Sequence, residues 1–404
     1  MNEELKKKME YCLNCKTKPC TTGCPLGNDI PQMIALAKQG QYKEAYEVLC
    51  QTTIMPFICG KICPKSKQCQ GKCVRAIKGE AVSIGEIENF IGEMALENKW
   101  YMDVKKKPQN GKKIAIVGAG PSGITAAMHL AKNGYNVTLF EKHEKIGGIL
   151  RYGIPEFRLD RKWIDVLEEE LKAYGVTLKC NSTFGKEITL QNLRDNFDKV
   201  ILAFGANMSC KMGIPGEEES YVIGANELLE NGIYPDYRNK KVAVIGGGSV
   251  AMDASRTIKQ KGAEEVTVVY RRARQQMPAE DIEVEEAIKE GVKFLFQVNV
   301  KKIEDKKIHC VRTMLVQKEG ERPVPVEIEN SDFVLEADYV VMAIGSKTDK
   351  SILNELELDD KGYIIVDTQY KTNLPNVYAC GDNIGGKATV AWASYYAREC
   401  AEKM

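Results

Sequence analysis

Nine of the 14 cysteines fall in the first 73 of 404 residues, and their spacing suits metal chemistry. Two quartets stand out, Cys12-x2-Cys15-x4-Cys20-x3-Cys24 followed by Pro25, and Cys59-x3-Cys63-x5-Cys69-x3-Cys73, with Cys50 left over. Thiolates so spaced can hold structural zinc or iron–sulfur clusters, and spacing leaves both open. A disulfide scaffold is the weaker reading, because the charged start Met1 to Met9 carries no apolar signal stretch and the chain is read as cytosolic. Cys180, Cys210, Cys310, Cys380 and Cys400 are isolated in sequence, so no Cys-x2-Cys outside the N-terminal segment offers a redox dithiol. Three scattered histidines, His129, His143 and His309, give hydrolytic triads and histidine-rich metal sites little material. No general acid or base is singled out.

Two glycine turns supply the second kind of chemistry. Ile114-Ala-Ile-Val-Gly118-Ala-Gly120-Pro121-Ser122-Gly123 and Val242-Ala-Val-Ile-Gly246-Gly-Gly248-Ser249-Val250-Ala251 each follow an apolar strand and open a helix, the context a dinucleotide site requires. The first glycine allows the tight turn, the second lets the backbone approach a pyrophosphate, and the third lets helix and strand pack. Phosphate then meets the positive end of a helix. After the first turn, the strand Val137–Glu141 ends in an acid able to bond a ribose hydroxyl pair. After the second, Val266–Tyr270 ends instead in Arg271, Arg272 and Arg274, which suit a 2′-phosphate and hence NADPH over NADH.

These residues imply an α/β chain with two Rossmann-like dinucleotide-binding domains preceded by an α-helical metal-binding segment. The expected division is 1–108 for the helical domain, 109–217 with 334–404 for the first nucleotide domain, and 218–333 for the second, with a linker at Lys105-Lys106-Lys107-Pro108. Helical apolar spacing predicts short helices over 30–37 and 42–49. The net charge of +1 gives no overall field for nucleic acid or membrane surfaces, and neither is expected as a partner. Lys61, Lys65, Lys67, Lys72, Arg75 and Lys78 nonetheless lie between Cys59 and Gly79 without one acid. They read as a solvated face, or as charge balance for anionic clusters beside a docking surface for an acidic partner.

Several segments resemble the glutamate synthase small-subunit family. Gly147-Gly148-Ile-Leu-Arg151-Tyr-Gly153-Ile-Pro155-Glu-Phe-Arg158-Leu, Val200-Ile-Leu-Ala-Phe-Gly205-Ala206 and Gly381-Asp382 look like its flavin segments. Gln275-Gln-Met277-Pro278-Ala and Ala343-Ile-Gly345 look like its nicotinamide domain. The first quartet, ending in Cys-Pro, is similar to a ferredoxin run whose fourth cysteine can bind the other cluster of a pair. The likeness covers almost the whole chain and extends to the larger subunit of electron-bifurcating NADH-dependent ferredoxin:NADP oxidoreductase and the N-terminal half of dihydropyrimidine dehydrogenase. The chain departs from the family in starting 11 residues before Cys12, where relatives carry a longer leader, and in a short final helix.

The resemblance implies FAD on the first fold, held through Gly118, Gly120, Pro121, Ser122, Gly123, Glu141, Gly148, Arg151, Gly205, Gly381 and Asp382, with the helix start Ala388, Thr389 and Val390 aimed at the flavin ring. It implies NADPH on the second, through Gly246, Gly248, Ser249, Val250, Arg271, Arg272 and Gly345. It implies two 4Fe-4S clusters. Cys12, Cys15, Cys20 and Cys73 would hold one, and Cys24, Cys63 and Cys69 with Glu88 of Val82-Ser-Ile-Gly85-Glu-Ile-Glu88 the other, leaving Cys59 a non-ligand. The implied activity passes electrons from NADPH through FAD and the clusters to a glutamate synthase large subunit, which would make glutamate from 2-oxoglutarate and glutamine. A bifurcating reaction with ferredoxin and a separate flavoprotein subunit is the first alternative. A zinc-bound interaction module tethering an NADPH-binding flavoprotein is the second. Because a flavin holds one or two electrons and zinc holds none, an exit path from a flavin favours iron.

Overall fold

The computed structural model describes residues 3–317 and 322–404. Its helical segment comprises α1 (Glu3–Glu10), α2 (Pro19–Gly23), α3 (Ile30–Lys38), α4 (Tyr42–Cys50), α5 (Pro56–Ile62) and α6 (Ile84–Glu97). Their apolar stripes converge on Met9, Met33, Ile34, Leu49, Ile87 and Ile91, and Cys12, Cys20, Cys24 and Cys73 pack half-buried against this core. Small residues set how closely α5 and α6 meet. A Cβ at Gly92 would lie 2.4 Å from Phe57 Cβ, and one at Gly60 would lie 2.6 Å from Asn89 N. That approach brings Glu88, on the buried side of α6, toward the end of α5 and Cys63.

The first nucleotide fold contains β1 (Lys113–Val117), α7 (Pro121–Lys132), β2 (Asn136–Phe140), α8 (Ile149–Tyr152), α9 (Lys162–Ala173), β3 (Thr177–Lys179), α10 (Leu190–Asn196) and β4 (Lys199–Leu202). The second runs through β5 (Met208–Ser209), β6 (Val222–Gly224), α11 (Ala225–Asn231), β7 (Lys241–Ile245), α12 (Ser249–Gln260), β8 (Glu265–Tyr270), α13 (Asp281–Lys289) and β9 (Lys293–Phe296). It continues with β10 (Val298–Glu304), β11 (Lys307–Val316), β12 (Val324–Glu336), β13 (Tyr339–Met342) and β14 (Ser346–Lys347), before β15 (Val377–Ala379) and α14 (Val390–Glu402) close the chain.

The sheet of the first fold has the order β15-β4-β1-β2-β3, and that of the second β6-β13-β7-β8-β9, both wholly parallel. Strands such as Ile114–Val117 and Val242–Ile245 are buried on both faces, as crossover helices require. An antiparallel sheet β10-β11-β12 belongs to the second fold.

Two compact units result. One joins 1–151, 156–206 and 348–404, so the helical segment clusters with the first nucleotide fold, and the other holds 152–155 and 207–347. Apart from the short excursion of 152–155, the chain passes between units at 206/207 and 347/348, where 217/218 and 333/334 were expected. The reason is pairing: β13 joins β6 and β7, and β14 joins β5, all inside the second unit.

Candidate cofactor sites

In the helical segment, Cys12, Cys15, Cys20 and Cys73 line one recess floored by Ile30 and Ile34. They arrive from the end of α1, from α2 and from the far end of the segment, with Asn14 and Lys18 at positive φ turning the chain between them. Burial pushes the Cys20 thiol up to about 11, and neighbouring Cys12 and Cys73 add to the rise. A metal removes such protons by supplying positive charge. Among the described residues, no three His, Cys, Asp or Glu side chains converge on one metal ion. A 4Fe-4S cluster takes four thiolates, and these four cysteines line one recess, so the residues present fit it.

The second group meets between α2, α5 and α6. Burial pushes Cys24 up to about 11, with Glu88 and Cys63 contributing, and Cys69 rises for the same reasons with Glu88, Cys24 and Cys63 as neighbours. Glu88 is 6% exposed, and burial lifts its carboxyl to about 7 against the pull of Lys65. Cys59, set aside by the resemblance, is brought here too: it is buried in α5 and its thiol bonds with Cys63 and contacts Thr53 Oγ1 at 3.9 Å. Asn28, Lys65 and Gln68 also join this site. Asn28 Nδ2 donates to Glu88 Oε1 at 3.3 Å, Lys65 Nζ donates to the Cys63 carbonyl at 3.3 Å, and Gln68 Nε2 donates to Thr389 Oγ1 at 3.3 Å. Sequence reasoning missed Asn28 and Gln68, since an asparagine and a glutamine near cysteines carry no signal of their own, whereas Lys65 belongs to the basic run that had charge balance for clusters as one of its two readings.

The first glycine turn divides its labour as a pyrophosphate site should. Gly118 has φ +97°, and a Cβ there would lie 2.5 Å from Phe204 Cα; at Gly123 it would lie 1.8 Å from the Gly118 carbonyl oxygen. Gly120 instead has no protein atom nearer than Gly148 Cα at 3.8 Å, which leaves its outer side open to a ligand. Pro121 takes the first turn of α7, starting that helix three residues before the apolar run, and Ser122 Oγ donates to the Ala393 carbonyl at 3.1 Å. The Glu141 carboxylate accepts from Ala119 N at 2.9 Å and His143 N at 3.0 Å, tying the end of β2 to the turn while keeping lone pairs for further donors. Arg151 is committed to the Ile146 carbonyl at 2.8 Å and Asp165 at 2.5 Å, so it braces the loop that presents Gly148.

Gly205 has φ +74° and nothing within 4 Å of an added Cβ. At the C-terminal motif, Gly381 has φ +82°, and Asp382 is half-buried, with its Oδ1 shielded from solvent and without a hydrogen-bond partner. Burial lifts its carboxyl to about 6. An unpartnered buried carboxylate oxygen is costly, and a polyol chain donating to it would remove the cost. Ala388 precedes Thr389, which caps α14 by accepting from Trp392 N at 3.3 Å, and Val390 opens the helix. The residues present therefore fit a flavin dinucleotide. Cys380 and Cys400, apart in sequence, come together fully buried and share a hydrogen bond.

In the second unit, Gly246 sits at φ +142° with the Ala343 carbonyl oxygen 2.1 Å from an added Cβ, whereas Gly248 has open space there. Ser249 Oγ donates to Glu283 at 2.8 Å, Val250 is half-buried in the first turn of α12, and Gly345 has φ +131°. Arg271 is exposed after β8, while Arg272 Nε donates to the Pro323 carbonyl at 3.0 Å and Arg274 lies 3.6 Å from Glu285. Arg322, which sequence reasoning missed, reaches the same loop: its Nη2 donates to Tyr270 Oη at 3.2 Å and to the Gln276 carbonyl. It lies in the connection between β11 and β12, 52 residues beyond Tyr270, so spacing could not have placed it. No helix among the described residues is long and apolar enough to cross a membrane.

Comparison with known proteins agrees with this geometry. The family described as pyridine nucleotide-disulphide oxidoreductase matches residues 112–396, and the one described as dihydropyrimidine dehydrogenase domain II, 4Fe-4S cluster, matches 1–100. The glutamate synthase [NADPH] small chain of Escherichia coli is 33% identical, covering 99% of this chain and 90% of its own length. The NADP(+)-dependent formate dehydrogenase subunit beta of Moorella thermoacetica is 35% identical over 93% of this chain and 58% of its own. Among solved structures, Mycobacterium tuberculosis FprA in complex with NADPH shares the fold with TM-score 0.64 and 21% identity, over 73% of this chain and 84% of that one. Two parallel nucleotide folds behind a cysteine-lined helical segment, matched over nearly the full length, place the chain in the glutamate synthase small-chain family of flavin- and 4Fe-4S-containing oxidoreductases.

Proposed function

We propose that this chain oxidises NADPH and delivers the electrons singly, through FAD and two 4Fe-4S clusters, to a glutamate synthase large subunit. When bound, FAD accepts the hydride as an electron pair, and clusters of this type carry one electron at a time. Gly246, Gly248, Ser249 and Val250 would seat the pyrophosphate of NADPH at the start of α12, and Arg271 and Arg272 would fork onto its 2′-phosphate. Gly118, Gly120, Pro121, Ser122, Gly123 and Gly148 would seat that of FAD, with Glu141 on its ribose, Gly205 beside it and Asp382 on its ribityl chain. No acid or base is required, so the protein's part is orientation and charge.

The observation that carries this reading is the Gln68–Thr389 hydrogen bond. It joins the residue before Cys69 to the cap of α14, whose first amides would face the flavin ring, and so supports Cys24, Cys63, Cys69 and Glu88 as the flavin-side cluster. Cys12, Cys15, Cys20 and Cys73, beside exposed Leu13 and Val74, would then be the outlet. A second reading, with a different dehydrogenase as partner, is favoured by the relative named as a formate dehydrogenase subunit. The test is anaerobic purification with metal, sulfide and flavin analysis. About eight iron and eight sulfide per chain with one FAD, reduced by NADPH, agree with the proposal; zinc without sulfide refutes it. The subunit that co-purifies from the native cell distinguishes the two partners.

A further inference from the structure

We propose that Asn28 is the positioning residue for the carboxylate ligand of the flavin-side cluster, held in place by Thr52 and, from the helix that caps the flavin, by Arg398. This inference rests on the two-cluster reading above. Asn28 is 3% exposed and lies between Cys24 and α3. Its main-chain amide donates to the Cys24 thiol, and its side-chain Nδ2 donates to Glu88 Oε1 at 3.3 Å. One residue thus holds two proposed ligands, the first through the backbone and the second through the side chain.

The orientation of the Asn28 amide is decided by its other end. Thr52 Oγ1 bonds to Asn28 Oδ1, and an oxygen so engaged leaves the NH2 group to face Glu88. The backbone is fixed as well, since the Asn28 carbonyl accepts from Ile30 N at 2.8 Å. Arg398 of α14 donates from one nitrogen, Nη1, to the Leu26 carbonyl at 3.1 Å and the Thr52 carbonyl at 2.8 Å. Its side chain is 13% exposed, so these bonds are shielded from water. The guanidinium therefore clamps together the two stretches of chain that carry Asn28 and Thr52. Lys65 acts differently: its ammonium bonds to the Cys63 carbonyl and reaches Glu88 only through its charge.

A donor on the far oxygen of a ligating carboxylate draws electron density away from the metal and locks the side-chain rotamer, as outer partners of metal ligands do. Without the donor, Glu88 would give more charge to iron and the reduced cluster would be harder to reach. One hydrogen bond to a charged group is equivalent to about tenfold in an equilibrium constant.

The experiment uses the full chain, loaded with FAD and iron, in an anaerobic titration at fixed pH followed by electron paramagnetic resonance. Asn28→Leu and Thr52→Val are compared with the parent and with Glu88→Cys. Asn28→Leu should keep the parent's iron and sulfide and change the line shape of one cluster signal. The midpoint of that signal should fall by about tenfold in the one-electron equilibrium, about 59 mV, while the second cluster and the flavin stay put. Thr52→Val should move the same signal the same way by less, and Asn28→Leu added to Glu88→Cys should move nothing further. Unchanged midpoints and line shapes with full iron overturn the role of Asn28 and leave the two-cluster reading standing. A parent holding half the expected iron and one signal overturns that reading itself. If Asn28→Leu loses iron, Thr52→Val decides by the same criteria, because it keeps the amide and removes only its orientation.

Discussion

Asp382 shows how one side chain can report the chemistry of the ligand it would hold. Shielding of the carboxyl from water, with Oδ1 left without a partner, lifts it to about 6 in the folded chain against 3.8 ordinarily. In FAD-free protein the folded state therefore keeps a proton that the unfolded chain has lost. The stability this gives is whole below about pH 4 and lost as pH rises through 6, on the order of 3 kcal/mol. Asp382→Asn should reduce the fall in thermal stability of the FAD-free protein between about pH 4 and 6, leaving the part that the raised Glu88 carboxyl contributes, and flavin titration should show weaker FAD binding. The arginines make a second residue-level case. Arg271→Ala with Arg272→Ala should weaken NADPH at least tenfold more than NADH in binding measurements; equal losses would end the 2′-phosphate assignment. Since Arg272 is partly committed to Pro323, Arg271 alone should carry most of the effect.

At the scale of elements, glycines of the same motif do different work and should fail differently. Gly123→Ala would drive a Cβ to 1.8 Å from the Gly118 carbonyl, so β1 and α7 must part. We expect a loss of stability of about 1–3 kcal/mol in denaturant titration together with loss of FAD. Gly248→Ala meets no protein atom, and its φ of −93° suits alanine. That variant should unfold like the parent yet bind NADPH poorly, because only the nucleotide would occupy the space the methyl takes. The helix pair α5 and α6 illustrates the same rule without a nucleotide: Gly60 and Gly92 let two backbones approach, and the approach carries Glu88 to the cysteines.

For the whole molecule, the helical segment and the first nucleotide fold form one compact unit joined through α14, so on the proposed reading loss of the clusters should also weaken FAD binding. Cys59→Ala should retain about eight iron per chain if Cys59 only packs beside the ligands, whereas Cys63→Ser should cost one cluster's iron and its resonance signal. Equal loss from both would make Cys59 a ligand. Much of this architecture is local and therefore legible in sequence: apolar strands ending in Gly118 and Gly246, helices starting just after them, the acid at 141 and the arginines at 271 and 272 all follow from short-range steric and charge requirements. The helices expected over 30–37 and 42–49 were equally plain from their periodicity, and each runs one residue further, to Lys38 and Cys50. Contacts between residues far apart in the chain were not. Asn28 meets Glu88, Gln68 meets Thr389, Arg322 meets Tyr270 and Cys380 meets Cys400 across separations that no spacing rule encodes. The partition of the chain shifted for the same reason, since the sheet that β13 joins is decided by its hydrogen-bonding neighbours rather than by its own residues. Sequence alone determined which chemistries the chain can hold, because short motifs must satisfy local geometry. Tertiary structure alone decided which side chains surround each group, because burial and hydrogen bonding depend on what folding brings together.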